Sequence, residues 1–279
     1  MKNMKTIDDE VLSGYNAGIE KNRLHSGLGL IEFARTCEIL LEKLPAPPAV
    51  IYDIGGGYGE YSWWLASKGY TVYLYDISDR NIEMAGEMSN EYPDYKIEHM
   101  EACDARSINR PDNSADAILL MGPLYHIVEY SERMLALKEC FRLLKSNGFL
   151  FSAAITRYSY TLWAVTTYGL SNDLLGESEA KEMIARDLLD GQHIKNPKYK
   201  GMGRSFFHLP GELKSEIENA GYINVDVRGV IGSAWLVPNL DEQWKDKIRR
   251  ENIMNIVRMT EKEESIMGLS THLLAIAQK

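Results

Sequence analysis

Cysteine is scarce. Three residues in 279, Cys37, Cys103 and Cys140, form no Cys-x-x-Cys pair and leave an odd count. A disulfide framework and a zinc ribbon are both excluded, and the three read as buried thiols of a reducing, cytoplasmic setting. Long apolar runs are lacking too. The longest, around Ala117–Met121 and Phe149–Ile155, are far too short to span a bilayer. The opening MKNMKTIDDE has two lysines but no apolar stretch behind them, so no secretory signal is visible. Positive charge is in deficit, with 31 Lys plus Arg against 40 Asp plus Glu and a net charge of −9. That balance opposes a partner with a phosphate backbone, where cationic contacts supply the affinity. It leaves small or cationic ligands open. Metal-ligand spacings such as HExxH are also missing, and no metal is expected. What remains is ordinary globular composition, 45% hydrophobic and 25% charged. That suits one α/β domain with insertions or two small domains.

Apolar spacing then orders the chain. Leu30, Phe33, Ala34, Cys37, Leu40, Leu41 and Leu44 recur at helical spacing, with Glu32, Arg35, Thr36 and Glu38 on the other face and Pro45, Pro47 and Pro48 ending the run. Val50–Ile54 is a buried-strand pattern that breaks into Gly55-Gly56-Gly57-Tyr58-Gly59. A helix over Glu60–Ser67 follows, stopped by Gly69. Further strands are expected at Thr71–Tyr75, Tyr95–Met100, Ala115–Met121 and Phe149–Ile155. Between them lie a helix capped by Ser78 and running through Glu91, and one capped by Ser131 that turns Met134, Leu137, Phe141 and Leu144 inward before Asn147-Gly148. Residues 156–209 carry many aromatics without a clear strand. A helix over Pro210–Ala220, a strand over Tyr222–Val230, a charged helical stretch over Asp241–Glu264 and a strand over His272–Ala277 complete the chain. Strands alternating with helices predict a Rossmann-like, mostly parallel seven-stranded α/β sheet with helices on both faces. The 54-residue pause is too long for a structureless loop and reads as an inserted cap.

The glycine turn carries the first chemical signal. A glycine-rich bend between strand and helix lets a ligand approach the backbone near a helix N-terminus. Glycines at 55, 57 and 59 give GxGxG, but a dinucleotide fold wants Gly or Ala at position 60, where this chain has Glu60. A P-loop is absent. A tight turn without a ligand is the plainer alternative. Three carboxylates weigh against it: Asp53, two residues before the first glycine; Asp76, 17 residues after Gly59; and Asp104, just past the third strand. Asp76 stands where a carboxylate can accept both hydroxyls of a ribose, and Asp104 where it can receive an adenine amino group. Each alone reads as a solvated loop residue. Together they fall on the carboxyl edge of the sheet, the usual ligand edge of open α/β folds.

On Asp53-Ile54-Gly55-Gly56-Gly57-Tyr58-Gly59, Tyr75-Asp76-Ile77, Cys103-Asp104-Ala105 and the run Ala115 to His126, the chain resembles the class I S-adenosylmethionine-dependent methyltransferases. The resemblance implies S-adenosylmethionine as cofactor, with S-adenosylhomocysteine as product. It turns Gly55, Gly56 and Gly57 toward the methionine end and gives Asp53 to the amino group. Asp76 and Ile77 fall to the ribose, Asp104 and Ala105 to the adenine, and the Met121 backbone to the methionyl portion. Residues 1–49, with Tyr15-Asn16, Glu20 and Arg23-Leu24, are similar to a bacterial small-molecule subgroup in which this segment closes over the cofactor, so Tyr15 and Arg23 become candidate contacts. Arg35 reads instead as a surface partner of Glu32 or Glu38. The implied core is 50–155 and 210–279, with 156–209 as a cap over the acceptor.

Methyl transfer from a sulfonium is an in-line displacement, so the protein must mainly align the reactants and exclude water. A base is needed only if the acceptor loses a proton. His126 is the candidate base, and Tyr125 is as ready to pack as to touch substrate. His193 and His208 read as core or surface residues, and most cap aromatics as the cap's own core, with Trp163, Tyr168 and Trp235 left open. The Asn/Asp-Pro-Pro-Tyr/Phe tetrad of nucleic-acid amino methyltransferases is replaced by Met121-Gly122-Pro123-Leu124, and no cysteine follows a proline. A small-molecule acceptor is the expectation, with no nucleic acid or membrane partner. A protein that binds the cofactor without catalysis is the alternative.

Overall fold

Runs rich in Val, Ile, Leu and Ala form the strands because each is short, β-branched or apolar throughout, and closed by Gly, Asp or Pro. The structure is a computed structural model that describes residues 22–194, 198–199 and 202–279. Its sheet contains β1 (Val50–Ile54), β2 (Thr71–Asp76), β3 (His99–Ala102), β4 (Ala115–Leu120) and β5 (Leu144–Ile155). A two-stranded ribbon, β6 (Gln192–His193) with β7 (Ser205–Phe206), stands apart, and β8 (Ile223–Gly229) and β9 (His272–Gln278) complete the large sheet. The order is β3-β2-β1-β4-β5-β9-β8. The first five strands run parallel, and β9 is antiparallel to both β5 and β8. This is the expected seven-stranded, mostly parallel sheet.

Helices cover both faces: α1 (Leu28–Lys43), α2 (Glu60–Ser67), α3 (Asp79–Glu87), α4 (Pro123–His126), α5 (Tyr130–Leu143), α6 (Ser159–Thr167), α7 (Ser178–Asp190), α8 (Pro210–Asn219), α9 (Leu240–Lys245), α10 (Lys247–Thr260) and α11 (Glu264–Met267). Alternation along the strands divides the core in two. Tyr52, Ile54, Ile118 and Leu120 pack with Leu137, Leu213 and Ile217 on the α5–α8 face. Ile51, Val72 and Leu119 pack with Ile39, Leu40, Trp63 and Leu65 on the α1–α2 face. Asp53, between Tyr52 and Ile54, therefore turns toward the α1–α2 face.

Several sequence expectations need correction. β3 begins at His99, not Tyr95, because the Tyr95 amide closes a turn onto the Tyr92 carbonyl and the first bond to β2 comes from Glu98. The helix after Ser78 stops at Glu87 and tightens into a 3₁₀ turn over Met88–Asn90. Its cap does form, Ser78 accepting from the Asn81 amide. Ser131 is no cap; α5 begins a residue earlier with Glu129 before it. Leu144 opens β5 rather than ending a helix, and the register slips between Ala115 and Ala117 to absorb the bend at Asn147, whose φ is 64°. Cys103 is only half-buried, unlike Cys37 and Cys140.

α1 departs most from its pattern. Leu41 is exposed, whereas Glu32, Arg35 and Thr36 are buried. Arg35 does pair with Glu38, but it also forks onto Glu261 at 2.7 and 3.0 Å and reaches Glu42. Glu261 and Glu42 in turn receive Arg228. A buried charge survives only where ion partners replace its water, and those partners lie about two hundred residues away in sequence. Residues 156–209 hold α6, a 3₁₀ turn over Leu174–Gly176, α7 and the ribbon, closed by two small clusters that share Tyr160.

Candidate functional site

The parallel strands β1, β2 and β4 all end at one edge, and there a cavity of about 940 Å³, its open mouth included, sits over the glycine turn. Two glycines explain its shape. Gly55 has φ of +71° and its missing Cβ would lie 2.4 Å from Pro123 Cδ, so glycine lets the turn close against α4. Gly57 has φ of +59° with nothing within 4 Å of a built Cβ, so the turn needs glycine here for its backbone conformation rather than for lack of room. Gly56 seals the floor, since a Cβ there would stand 2.5 Å from Asp53 Oδ2.

Asp76 ends β2 beside this turn. Its Oδ2 accepts from the Gly57 amide at 2.9 Å, and its Oδ1 accepts from the Ser78 amide at 2.9 Å and Asn81 Nδ2 at 3.0 Å. The carboxylate is thus fixed by its own chain at the cavity wall, with Ile77 next to it. Asp53 behaves differently. It is fully buried behind the wall, Oδ2 accepting from Ser62 Oγ at 2.7 Å and Oδ1 having no partner among the described residues. Burial raises its pKa to about 7, and nearby Asp76 adds to the rise.

Asp104 and Ala105 line the far end. Both Asp104 oxygens accept from Arg106, whose other arm reaches Glu132. Despite the opposing effect of burial, Arg106 holds the Asp104 pKa below its usual value. Met121, Tyr125 and His126 form the opposite wall. The Tyr125 and His126 rings stand 4.6 Å apart between centroids. Desolvation lowers the His126 pKa to about 4, so at neutral pH it is an uncharged imidazole and a weak base.

Arg23 reaches the cavity from a 3₁₀ turn over Arg23–His25, its guanidinium forked onto Glu32 at 2.6 and 3.0 Å. Its neighbours tie the turn down. The Asn22 amide donates to Tyr58 Oη, and His25 Nε2 lies 2.6 Å from Glu60 Oε1.

Of the expected site residues, Arg23, Gly55, Gly56, Gly57, Asp76, Ile77, Asp104, Ala105, Met121, Tyr125 and His126 meet around this one cavity. Asp53 stays behind the wall, and Tyr15 lies outside the described residues. The sequence reading missed Glu60, Tyr61 and Arg106 as wall residues. Glu60 was visible only as the residue that spoils a dinucleotide motif, and Arg106 only as a cation two residues past Asp104. His193 and His208 are core residues, held to Asp187 and Glu216. Among the described residues no helix is long and apolar enough to cross a membrane, and no cluster of three or more His, Cys, Asp or Glu could hold a metal.

Known proteins resemble this arrangement. Residues 52–152 match a family model described as a methyltransferase domain. The chain is similar to the demethylmenaquinone methyltransferase of Staphylococcus aureus, at 26% identity over 166 residues, 56% of this chain and 59% of the relative. It therefore spans less than two thirds of that relative's length. Its fold matches an S-adenosylmethionine-dependent methyltransferase of Methanosarcina mazei, with TM-score 0.56 and 20% identity over 86% of this chain and 96% of the other. It also matches one from Mesorhizobium loti, with TM-score 0.55 and 17% identity over 89% of this chain and 100% of that one. Residues 52–152 thus carry a methyltransferase-domain match, and the strand order and glycine turn agree with the fold of these solved methyltransferases.

Proposed function

We propose that the protein transfers a methyl group from S-adenosylmethionine to a small-molecule acceptor. The observation that carries this reading is one cavity that gathers a glycine turn, a strand-end aspartate and a neutral histidine at the carboxyl edge of the sheet. The residues fit the ligand. Gly57 leaves open space beside its Cα, Asp76 is pre-oriented for ribose hydroxyls by the Gly57 amide, and Asp104 with Ala105 borders the space an adenine would take. When bound, S-adenosylmethionine supplies an activated methyl group that already carries its leaving group.

The chain's own work is then alignment and exclusion of water. Met121, Tyr125 and Ile127 shape the acceptor side. For an acceptor that must lose a proton, His126 is the imidazole at hand, neutral at pH 7 but weakened as a base by its burial. The described part of 156–209 caps the acceptor, and the Arg23–His25 turn closes over the cofactor. The acidic net charge favours a small acceptor over a nucleic acid. The demethylmenaquinone named for the staphylococcal relative is a first acceptor to try.

The test is a thermal-shift comparison of S-adenosylmethionine, S-adenosylhomocysteine, NAD and ATP. The first two are expected to stabilise the protein, and stabilisation by NAD alone overturns the reading. A non-catalytic binder shares every contact named so far. Release of S-adenosylhomocysteine in the presence of an acceptor separates the two.

A further inference from the structure

Four carboxylates surround the glycine-turn end and the adenine end of the cavity, and their hydrogen bonds differ. Asp76 has donors on both oxygens, and so does Asp104. Asp53 is sealed beneath Gly56. Glu60 is the exception. Its Oε1 accepts from Tyr58 Oη at 2.9 Å and lies 2.6 Å from His25 Nε2, while its Oε2 makes no hydrogen bond among the described residues. The residue is 9% exposed, yet it lines the cavity. Glu60 is thus a nearly buried carboxylate on the cavity lining, with one oxygen whose hydrogen-bonding capacity no other described residue uses.

Its place gives that oxygen a meaning. Glu60 is the first residue of α2, directly after the glycine turn. In glycine-turn folds the helix N-terminus is where backbone amides meet a phosphate. A carboxylate at that position is itself favoured by the helix dipole, and it repels a second anion. A cation is attracted instead. Arg23, whose turn is fastened to the Tyr58–Glu60 pair through Asn22 and His25, puts an opposite charge at the same end. An ammonium and a carboxylate on one carbon suit such a pair.

We propose that Glu60 is the specificity-determining residue of this cavity: its free oxygen receives the α-ammonium of an amino-acid-bearing nucleoside and excludes nucleotides that carry phosphate. The proposal rests on the S-adenosylmethionine reading and assigns the ammonium to Glu60 rather than to the sealed Asp53. Titration calorimetry tests it with three probes: S-adenosylhomocysteine, 5′-methylthioadenosine, which keeps the nucleoside and sulfur but lacks the amino acid, and ADP.

Glu60→Gln is expected to weaken S-adenosylhomocysteine roughly tenfold, as for loss of one charged hydrogen bond. Methylthioadenosine affinity stays unchanged, which also shows that the variant is folded, and ADP affinity rises. His25→Ala keeps the carboxylate and is expected to preserve the preference for S-adenosylhomocysteine over methylthioadenosine. An unchanged preference in Glu60→Gln overturns the proposal. So does the same loss in His25→Ala, which would mean that Glu60 acts only by holding the 3₁₀ turn. Failure of the unaltered protein to bind S-adenosylhomocysteine counts against the methyltransferase reading instead.

Discussion

On the glycine-turn side of the cavity, Asp76 and Asp104 are fixed by backbone amides, Asn81 and Arg106. Across the sheet, where the cap residues meet the end of β5, the hydroxyls of Thr156, Tyr160, Thr161 and Thr271 and the Nδ1 of His208 are buried without partners among the described residues. Three of these are neighbours. The register that pairs Ile155 with His272 carries Thr156 alongside Thr271, and Thr156 also bridges to His208, so the three side chains share one face. Unpartnered buried polar atoms cost stability, so apart from Asp53 Oδ1 the first side is built for order, while the second retains polar capacity that the fold does not need. The two sides thus differ in how much of their polar capacity the fold itself consumes.

The joint between the halves is the largest target. Arg133, 2% exposed, forks onto Glu216 at 2.9 and 2.6 Å, donates to the carbonyls of Ile127 and Val128, and lies 3.7 Å over the Phe206 ring. It holds the chain after His126 to α8 and the cap ribbon at once. Arg133→Ala is expected to cost about 3–5 kcal/mol in chemical unfolding, because it strands a buried carboxylate. The Glu216 pKa falls to about 2, with Arg133 and His208 outweighing the rise from burial. A depressed carboxyl stabilises above its unfolded pKa, and that stability is lost as pH falls through the folded value. The wild type should therefore weaken from about pH 4.5 toward 2, and the variant should lose that slope. A variant as stable as the wild type would mean that the halves are not joined here.

On the ordered side, Asp76→Ala removes a charged acceptor and is expected to weaken S-adenosylmethionine by roughly 1.5–3 kcal/mol, ten- to a hundredfold. Unchanged affinity in calorimetry would sink the ribose assignment. The smallest effect belongs to the other side. Tyr160→Phe deletes a buried hydroxyl that has no partner, so the variant should be as stable as the wild type or gain up to about 1 kcal/mol. A loss of more than that in thermal unfolding would show a hidden partner and erase the contrast.

Much of the ordered side was legible because its signals are local. β1, the glycine turn and Asp76 follow one another along the chain, and strand periodicity places the latter two at one edge. The face of Asp53 also follows from alternation, yet a ligand role drew attention from its neighbours Tyr52 and Ile54. The rest depends on distant partners. Arg35 and Glu32 look like surface residues until Glu261 and Arg23 are brought to them. Glu60 carries no local mark beyond not being glycine. The row of Thr156, Thr271 and His208 exists only once three remote segments lie side by side.

The buried ion network of α1 has a mechanical consequence. From Leu28 onward this helix is bolted through Arg35 and Glu42 to Glu261 and Arg228. Just before it, Gly27 has a φ of +52°, and Gly29 admits the Arg23 carbonyl where a Cβ would sit 2.0 Å from it. The bolted helix is a fixed post and the Arg23–His25 turn an arm hung from two glycines. The bonds of that arm to Tyr58 and Glu60 act as a latch. The arm is also forked onto the post through Arg23 and Glu32, so this wall of the cavity is braced from the helix and from the glycine turn at once.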